Sequence, residues 1–266
     1  MQIGGRMFFV TGGCSGLGLA VVKELLALDG LVCVFDRDQA EGRTLETKHV
    51  GRVLFQQADI RSETEIQSGL KKAHETWPGS TIGGLIHCAG IGAAEKTVSA
   101  SGRAGSLENF KTVIDINLTG SFNVARLVAA EIVRQNRLEN SKTGAEESHE
   151  HGVIILTSST SYQDGQAGQV GYAASKGGVA SMVLPMARDL ARFGIRVTGI
   201  APSLFETSMG KSVSPAVKNS LLKTIEYPVR FGDPREFSSL VMECIRNTYL
   251  NGTVIRLDAA GRMGKI

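Results

Sequence analysis

Tyr172 and Lys176 are the residues of this chain whose types and spacing most directly suggest chemistry. They lie four residues apart in the stretch VGYAASKGG, whose small residues can easily form a helix. Four residues are slightly more than one helical turn, so we expect both side chains on one face, with the ammonium near the phenol. A neighbouring cation favours the phenolate and lowers the pKa of a tyrosine, as a proton-transferring tyrosine requires. The alternative is an ordinary helix face with a solvated lysine, because this spacing is common by chance.

A glycine-rich stretch, TGGCSGLG, follows the first predicted strand and runs directly into a helical pattern. Its glycines, Gly12, Gly16 and Gly18, suit a sharp turn in which a pyrophosphate approaches main-chain N–H groups that a Cβ would block. The amino end of the following helix adds partial positive charge. A tight strand-to-helix turn can also use two glycines with no ligand. In this strand, loop and helix context we predict that the stretch, including Ser15 and Leu17, binds a dinucleotide.

The second predicted strand ends in an acidic residue, Asp36, which lies 18 residues beyond Gly18. At this distance a carboxylate accepts hydrogen bonds from the adenosine ribose of NAD and repels the additional phosphate of NADP. Arg37 is a competing signal, because a guanidinium tolerates that phosphate. We therefore expect NAD as the cofactor.

The ends of the third and fourth predicted strands carry further residues that suit a nucleotide. Asp59 and Ile60 supply a carboxylate and an apolar side chain that could flank an adenine. Cys88, Ala89 and Gly90 are small enough for backbone to lie beside a ribose. Each pair or triplet is also compatible with a plain strand-to-loop junction, but together they follow one continuous ligand path.

Seven short apolar runs alternate with amphipathic segments along the whole chain. Buried parallel strands are typically continuous apolar and β-branched runs, which gives predicted strands at 7–10, 31–36, 53–57, 84–90, 153–159, 195–200 and 253–258. The predicted helices are 17–28, 39–49, 62–76, 107–135, 172–193 and 234–247. This alternation predicts an α/β fold, with one parallel sheet covered by helices on both faces.

Two stretches interrupt the alternation. Residues 137–152 are polar and without a pattern, so we predict an exposed loop. His149 and His151 lie in it, but without a third ligand nearby they are interpreted as solvated rather than metal-binding. Residues 203–232 contain no clear strand and follow the carboxyl end of a strand, where open α/β sheets bind ligands, so we predict a substrate-covering segment.

The composition of the 266 residues limits the classes of function. The hydrophobic content is 42%, and the excess of basic residues is only three, with no basic strip, so we expect no nucleic-acid partner. The four cysteines are widely spaced and form no C-x-x-C pair, which argues against a zinc site or a disulfide scaffold. The start of the chain lacks a signal-peptide apolar region and no later run reaches a membrane span. We expect a soluble intracellular protein, cytoplasmic or mitochondrial, without a metal.

Taken together, TGGCSGLG, CAG, Asn117 within NLTG, Ser159 and YAASK resemble the motif series of the short-chain dehydrogenase/reductase family. Ser159 lies 13 residues before Tyr172, which is the usual spacing there, and the series covers nearly the whole chain. Within the family, CAGIGAAEKT, GQAGQVGYAASKGG, LPMARDLARFGIRV, APSLF and LNGTVIRLD resemble the type II 3-hydroxyacyl-CoA dehydrogenases. Those are mitochondrial NAD enzymes that also oxidise hydroxysteroids. The resemblance implies a single-domain Rossmann fold over residues 1–266 with strand order 3-2-1-4-5-6-7.

The resemblance also implies a role for each of four catalytic positions. Tyr172 is the general acid/base, and Lys176 lowers its pKa and holds the nicotinamide ribose. Ser159 hydrogen-bonds the reacting oxygen and stabilises developing charge. Asn117 kinks its helix and holds a water that links Lys176 to solvent; without the other residues, an exposed helical asparagine would be the simpler interpretation.

Residues near the nicotinamide and the substrate are implied in the same way. Pro202 and Phe205 of APSLF fall beside the nicotinamide, and Thr207 is placed to reach its carboxamide. Gln166 and Gln169 precede Tyr172 and are candidates for lining the substrate mouth, although a surface role suits them equally well.

The function predicted from these features is NAD-dependent interconversion of a secondary alcohol and a ketone, with a 3-hydroxyacyl-CoA or hydroxysteroid-like substrate. One alternative is a biosynthetic ketoreductase for a specialised polycyclic or polyketide-like ketone, which would use the same residues. A non-catalytic nucleotide-binding scaffold is disfavoured because all four catalytic positions are present. Family members of this size are mostly homotetramers, and we expect helices 107–135 and 172–193 at the interfaces.

Overall fold

The computed structural model describes residues 1–143, 150–207, 215–262 and 264. Its sheet contains parallel strands in the spatial order β3-β2-β1-β4-β5-β6-β7, which confirms the predicted topology. The strands are β1 Met7–Thr11, β2 Leu31–Asp36, β3 Val53–Gln57, β4 Ile82–His87, β5 Gly152–Thr157, β6 Ile195–Pro202 and β7 Val254–Leu257. The fourth strand begins and ends earlier than predicted, so residues 88–90 form the loop after it.

Helices connect the strands and cover the sheet. In the described residues they are α1 Gly16–Ala27, α2 Gln39–Lys48, α3 Glu63–Thr76, α4 Leu107–Ile114, α5 Gly120–Thr143, α6 Ser161–Asp164, α7 Val170–Ala191, α8 Pro215–Leu222 and α9 Pro234–Arg246. The S-x-x-E spacing before α3 marks its start, because Ser62 accepts a hydrogen bond from the Glu65 backbone. The Glu65 carboxylate does not complete a capping box; it accepts the Asp59 backbone N–H instead, at 2.6 Å. This bond ties the start of α3 to the loop after β3.

The core lies on both sides of the sheet because successive strand residues point to opposite faces. Phe9 of β1 belongs to the core cluster that contains residues of α3, α5 and α7, whereas the adjacent Phe8 belongs to the cluster that contains residues of α1 and α9. Strands β4, β5 and β6 are buried along their whole length. Full burial on both faces explains why the strands could be predicted as continuous apolar runs.

The long helix predicted at 107–135 has a different form in the structure. A π-helical turn, Asp115–Thr119, separates α4 from α5, and α5 continues to Thr143. The predicted loop at 137–152 is therefore wrong for 137–143, which are helical. The polar sequence there contains no glycine or proline that would end a helix.

The predicted histidine-containing loop and the predicted substrate-covering segment are only partly described by the structure. His149 lies outside the described residues, as do residues 208–214 of the predicted substrate-covering segment. That segment contains α8, and its Phe205 forms an isolated parallel bridge with Gly232. In the described ranges no helix is both long and apolar enough to cross a membrane. Nor do three His, Cys, Asp or Glu residues in these ranges form a group suited to a metal ion.

Candidate active site

A crevice of about 540 Å³ opens at the carboxyl ends of the strands. It lies where the spatial order reverses between β1 and β4, which is the position at which open α/β sheets bind ligands. The cofactor and substrate residues predicted from the sequence all line it: Gly12, Ser15, Gly16, Leu17, Gly18, Asp36, Asp59, Ile60, Cys88, Ala89, Gly90, Ser159, Gln166, Gln169, Tyr172, Lys176, Pro202, Phe205 and Thr207. Asn117 is the exception among the predicted site residues, since it lies behind the crevice wall.

Two glycines around the junction of β1 and α1 have no room for a side chain. Gly12 has φ +66°, and a Cβ there would lie 3.0 Å from the Ala89 backbone. A Cβ on Gly18 would lie 2.2 Å from the Gly12 carbonyl oxygen. Ser15 is the N-cap of α1, and the first turn of this helix carries no acidic residue. The amino end of α1 is therefore an electropositive surface that suits a phosphate group.

Replacement of Gly18 by alanine is expected to abolish dinucleotide binding. The new methyl group would clash with backbone, which cannot move without opening the loop. Binding should be measured by NADH fluorescence titration, and we expect at least a hundredfold increase in Kd. Gly4→Ala is the matched control, because a Cβ there meets atoms only at 3.6 Å and beyond. An unchanged Kd for Gly18→Ala would show that the ligand does not depend on this loop.

The acidic residues at the ends of β2 and β3 are held in place by hydrogen bonds. The Asp36 carboxylate accepts backbone N–H groups of Cys14, at 3.0 Å, and Asp38, at 3.1 Å. The Asp59 carboxylate accepts two N–H groups of Arg61, which lower its pKa. Both carboxylates are therefore held in fixed positions at one end of the crevice, and Ile60 follows Asp59 on the same wall.

Three of the predicted catalytic side chains meet at the other end of the crevice. Ser159 follows β5, and its hydroxyl lies near the phenol of Tyr172, where it acts to lower the pKa of that phenol. Tyr172 and Lys176 are one turn apart on α7, with the ammonium 5.9 Å from the centre of the phenol ring. Lys176 is only 5% exposed and donates to the Thr157 carbonyl oxygen, at 2.9 Å. The end of β5 thus positions both the serine and the lysine.

The protonation of these groups differs from the sequence-based expectation. Burial raises the pKa of the Tyr172 phenol, and the nearby Ser159 hydroxyl only partly opposes this. Burial also lowers the pKa of Lys176 to about 8. The expectation that Lys176 lowers the tyrosine pKa is therefore not met, because desolvation of the phenolate dominates. The phenol is consequently protonated near neutral pH, ready to donate a proton.

Asn117 occupies the π-helical turn and is fully buried, which excludes an exposed helical asparagine. Its amide clamps Ile91, accepting from the backbone N–H at 2.8 Å and donating to the carbonyl oxygen at 2.9 Å. It also donates to the Ser175 hydroxyl at 3.1 Å. Gly90 leaves space for this arrangement, because a Cβ there would lie 3.0 Å from the Asn117 side-chain oxygen. Asn117 therefore connects the loop after β4 to α7.

The two glutamines lie at the mouth of the crevice, between α6 and α7. Gln169 accepts the backbone N–H of Gln166 at 3.0 Å, which folds this loop. The side-chain nitrogen of Gln166 is buried and has no hydrogen-bond partner in the structure. An unpaired buried donor on the wall of a cavity is available to a ligand oxygen.

Some residues of the crevice were not singled out from the sequence. Thr157 acts through its main-chain carbonyl, for which no residue type is required, so the sequence carries no signal. Leu221 reaches the crevice from α8, which the apolar spacing at 221, 222 and 225 could have indicated. Ile91 and Ile116 also line the wall and belong to segments next to Gly90 and Asn117.

Comparisons with known proteins agree with this arrangement. A family model described as short chain dehydrogenase matches residues 6–218. Over 263 residues the chain is 42% identical to the 3-hydroxyacyl-CoA dehydrogenase type-2 of Rattus norvegicus, covering 98% of this chain and 97% of that protein. The protein of the same name from Homo sapiens is 41% identical over the same coverage. The crystal structure of 3-hydroxyacyl-CoA dehydrogenase type-2 from Mycobacterium avium superimposes with a TM-score of 0.88 at 33% identity, covering 98% of this chain and 97% of that chain.

Proposed function

The chain belongs to the short-chain dehydrogenase family and is an oxidoreductase acting on CH–OH groups, and on that premise we propose that it interconverts 3-hydroxyacyl-CoA and 3-ketoacyl-CoA with NAD(H). The observation that carries the reaction type is that Ser159, Tyr172 and Lys176 line the same end of the glycine-lined crevice, with the Lys176 ammonium 5.9 Å from the centre of the Tyr172 ring. The type-2 3-hydroxyacyl-CoA dehydrogenases, which are 41–42% identical over 98% of the chain, support the substrate class.

The residues present fit a nicotinamide dinucleotide. The glycine loop before α1 leaves a cradle that a single Cβ would fill, and the amino end of α1 faces it. Asp36 would hold the adenosine ribose, and Lys176 the nicotinamide ribose. Pro202, Phe205 and Thr207 would line the nicotinamide end. When bound, the nicotinamide supplies or accepts the hydride.

This chain's own residues would orient the carbonyl and move the proton. The Ser159 hydroxyl donates to the carbonyl oxygen and stabilises the negative charge that develops there. The Tyr172 phenol donates its proton to the same oxygen as the alcohol forms, and takes it back in the oxidation direction. The Tyr172 phenol, whose pKa burial raises further, keeps its proton at neutral pH and can donate it in the reduction direction.

An acyl thioester places a second carbonyl two carbons from the reacting one. The unpaired side-chain nitrogen of Gln166 supports this substrate class, because it offers a donor on the same wall as Ser159 and Tyr172. We propose that Gln166 donates to the thioester oxygen while Gln169 holds the loop. Residues 203–232 would cover the bound substrate, with Leu204, Phe205 and Leu221 as the contacts.

The proposed reaction is tested by NADH oxidation on mixing the protein with acetoacetyl-CoA. Parallel assays contain acetoacetate, a 17-ketosteroid and an aromatic polycyclic ketone at equal concentrations. We expect kcat/KM for acetoacetyl-CoA to exceed that of every other carbonyl at least tenfold. A higher value for the polycyclic ketone would replace the proposal by a biosynthetic ketoreductase, and turnover of none of them would leave a nucleotide-binding scaffold.

The preference for NAD(H) over NADP(H) depends on Asp36 and is a separate prediction. Its carboxylate would repel a ribose phosphate, so we expect wild-type kcat/KM with NADH to exceed that with NADPH at least a hundredfold. In Asp36→Ala the neighbouring Arg37 remains, and the ratio of kcat/KM with NADH to kcat/KM with NADPH should fall by at least tenfold. Asp38→Ala is the control, because the Asp38 side chain caps α2 and does not line the crevice, and alanine keeps the backbone N–H that bonds Asp36. A wild-type preference for NADPH would contradict the assignment.

We also propose a homotetramer, because α5 and α7 carry exposed apolar residues, Phe122 at 48% and Leu184 at 44%. Sedimentation of the protein measures this directly.

A further inference from the structure

His87 is the last residue of β4 and is completely buried behind the crevice. Its ring lies between two hydroxyl groups from different elements. Nδ1 is 2.9 Å from the Thr11 hydroxyl at the end of β1, and Nε2 is 2.9 Å from the Ser121 hydroxyl at the start of α5. Neither partner nor His87 itself lines the crevice, so the catalytic steps described above do not use this histidine.

The neighbouring hydrogen bonds determine which ring nitrogen carries the proton. Ser121 donates its only hydroxyl proton to the Asn117 carbonyl oxygen, at 2.5 Å. Towards His87 it must therefore accept, so Nε2 carries a proton and donates. In a neutral ring Nδ1 is then the acceptor, and the Thr11 hydroxyl donates to it.

The remaining groups around Thr11 agree with this direction. The Thr11 oxygen accepts the backbone N–H groups of Cys88 and Ala89, each at 3.1 Å. A hydroxyl that accepts hydrogen bonds from two N–H groups can still donate its own proton in a third. Nδ1 of His87 accepts that hydrogen bond. Burial and the charge of Lys176 lower the pKa of His87 to about 3, so the ring is neutral at physiological pH.

The bonds form one continuous chain that connects the two walls of the crevice. It starts at the backbone of the loop after β4, passes through Thr11, His87 and Ser121, and reaches the carbonyl of Asn117. From the same residue the amide donates to Ser175, whose hydroxyl donates to the Tyr172 carbonyl oxygen at 2.7 Å. The nucleotide-facing loop and the catalytic helix are therefore held by the same set of directed bonds.

We propose that His87 is a positioning residue, a neutral Nε2–H imidazole that fixes the loop of residues 88–90 relative to the π-helical turn and the catalytic helix. The imidazole ring is suited to this role because its acceptor, Nδ1, and its donor, Nε2, lie on opposite sides. The two hydrogen bonds to Thr11 and Ser121 therefore fix the orientation of the ring. Without it, Ser121 and Thr11 lose a buried partner, and the Asn117 carbonyl loses a fixed donor. The dinucleotide would still bind, but its reacting end would be less well aligned with Tyr172.

The tautomer is testable on the unmodified protein without any assay of turnover. Nitrogen-15 NMR of histidine-labelled protein should show one ring that is neutral, protonated at Nε2, and unchanged between pH 5 and pH 9. Signal assignment uses the loss of that resonance in His87→Gln. A ring at position 87 that is protonated at Nδ1, or that is doubly protonated at pH 7, would overturn the proposal, whatever the kinetics show.

Kinetics of two variants separate positioning from simple structural support. His87→Leu removes both bonds, whereas His87→Gln keeps a side-chain amide that can donate towards Ser121. For His87→Leu we expect kcat to fall at least tenfold, while the Kd for NADH changes less than threefold. For His87→Gln we expect a kcat at least threefold higher than that of His87→Leu. Trp77→Phe is the control for general destabilisation, because it removes a partly buried hydrogen bond to Gly51 between residues that do not line the crevice.

The kcat measurement rests on the proposed function, because it needs a substrate that the enzyme turns over. The NMR measurement of the His87 tautomer does not depend on the proposed function. If the wild-type protein turns over no carbonyl, the proposed reaction fails while the NMR result still decides the state of His87. If His87→Leu lowers the melting temperature as Trp77→Phe does and leaves kcat within twofold, His87 is only structural and the positioning role is wrong. If the leucine variant does not fold, His87→Gln and the NMR measurement decide the proposal.

Discussion

Tyr172→Phe is expected to lower kcat for acetoacetyl-CoA by between a hundredfold and ten-thousandfold, which is the usual contribution of a positioned acid/base. The substitution removes only the phenol oxygen and leaves the ring against Lys176. Ser159 cannot replace the lost proton donor efficiently, because an aliphatic hydroxyl is a far weaker acid than a phenol. Lys176 cannot replace it either, since its ammonium is directed at the Thr157 carbonyl.

The kinetic pattern distinguishes loss of chemistry from loss of binding. The Kd for NADH should stay within threefold of wild type, because the phenol oxygen is not needed for the glycine cradle or for Asp36. Tyr249→Phe is the matched control: this side chain is 98% exposed and should have no effect. Activity of Tyr172→Phe within tenfold of wild type would mean that another group donates the proton, and the assignment of Tyr172 would be abandoned.

The parts of the fold that were predicted correctly are those for which burial determines the sequence. A strand such as β2, covered on both faces, must be apolar along its length, so its limits of 31–36 could be read directly. The glycine loop was predictable for a similar reason, because Gly12 and Gly18 have no room for a Cβ. In both cases a physical constraint acts on the residue type itself.

Features that depend on backbone groups or on neighbours distant in the sequence could not be predicted. The Thr157 carbonyl that holds Lys176 would be present with any residue at that position. The helix break was expected from Asn117, but its form as a π-helical turn depends on contacts with Ile91 and Ser175, which are far from it in the chain. The pKa of Tyr172 also depends on burial that only the folded structure defines. In the sequence His87 is simply part of an apolar run.

Lys176→Met is expected to lower kcat/KM at least a hundredfold while leaving the protein as stable as wild type, or more so. Burial lowers the pKa of Lys176 from 10.5 to about 8, so the charged ammonium costs about 3 kcal/mol more in the folded protein than in the unfolded chain. At pH 7 the wild-type protein must keep this buried ammonium charged. Methionine removes that penalty and loses one hydrogen bond to Thr157, worth about 1 kcal/mol.

The stability difference between wild type and Lys176→Met should depend on pH. The unfolded chain keeps the proton of Lys176 up to about pH 10.5, whereas the folded chain releases it from about pH 8. Between these values the unfolded state binds more protons, so the contribution of Lys176 to the free energy of unfolding rises with pH over this window. Urea denaturation of wild type and Lys176→Met at pH 7, 8, 9 and 10 should show the difference between them shrinking as pH increases. Lys23→Met, at an exposed position of α1, should show no such trend. A large loss of stability in Lys176→Met at pH 7 would contradict this prediction. It would mean that the buried ammonium stabilises the folded protein.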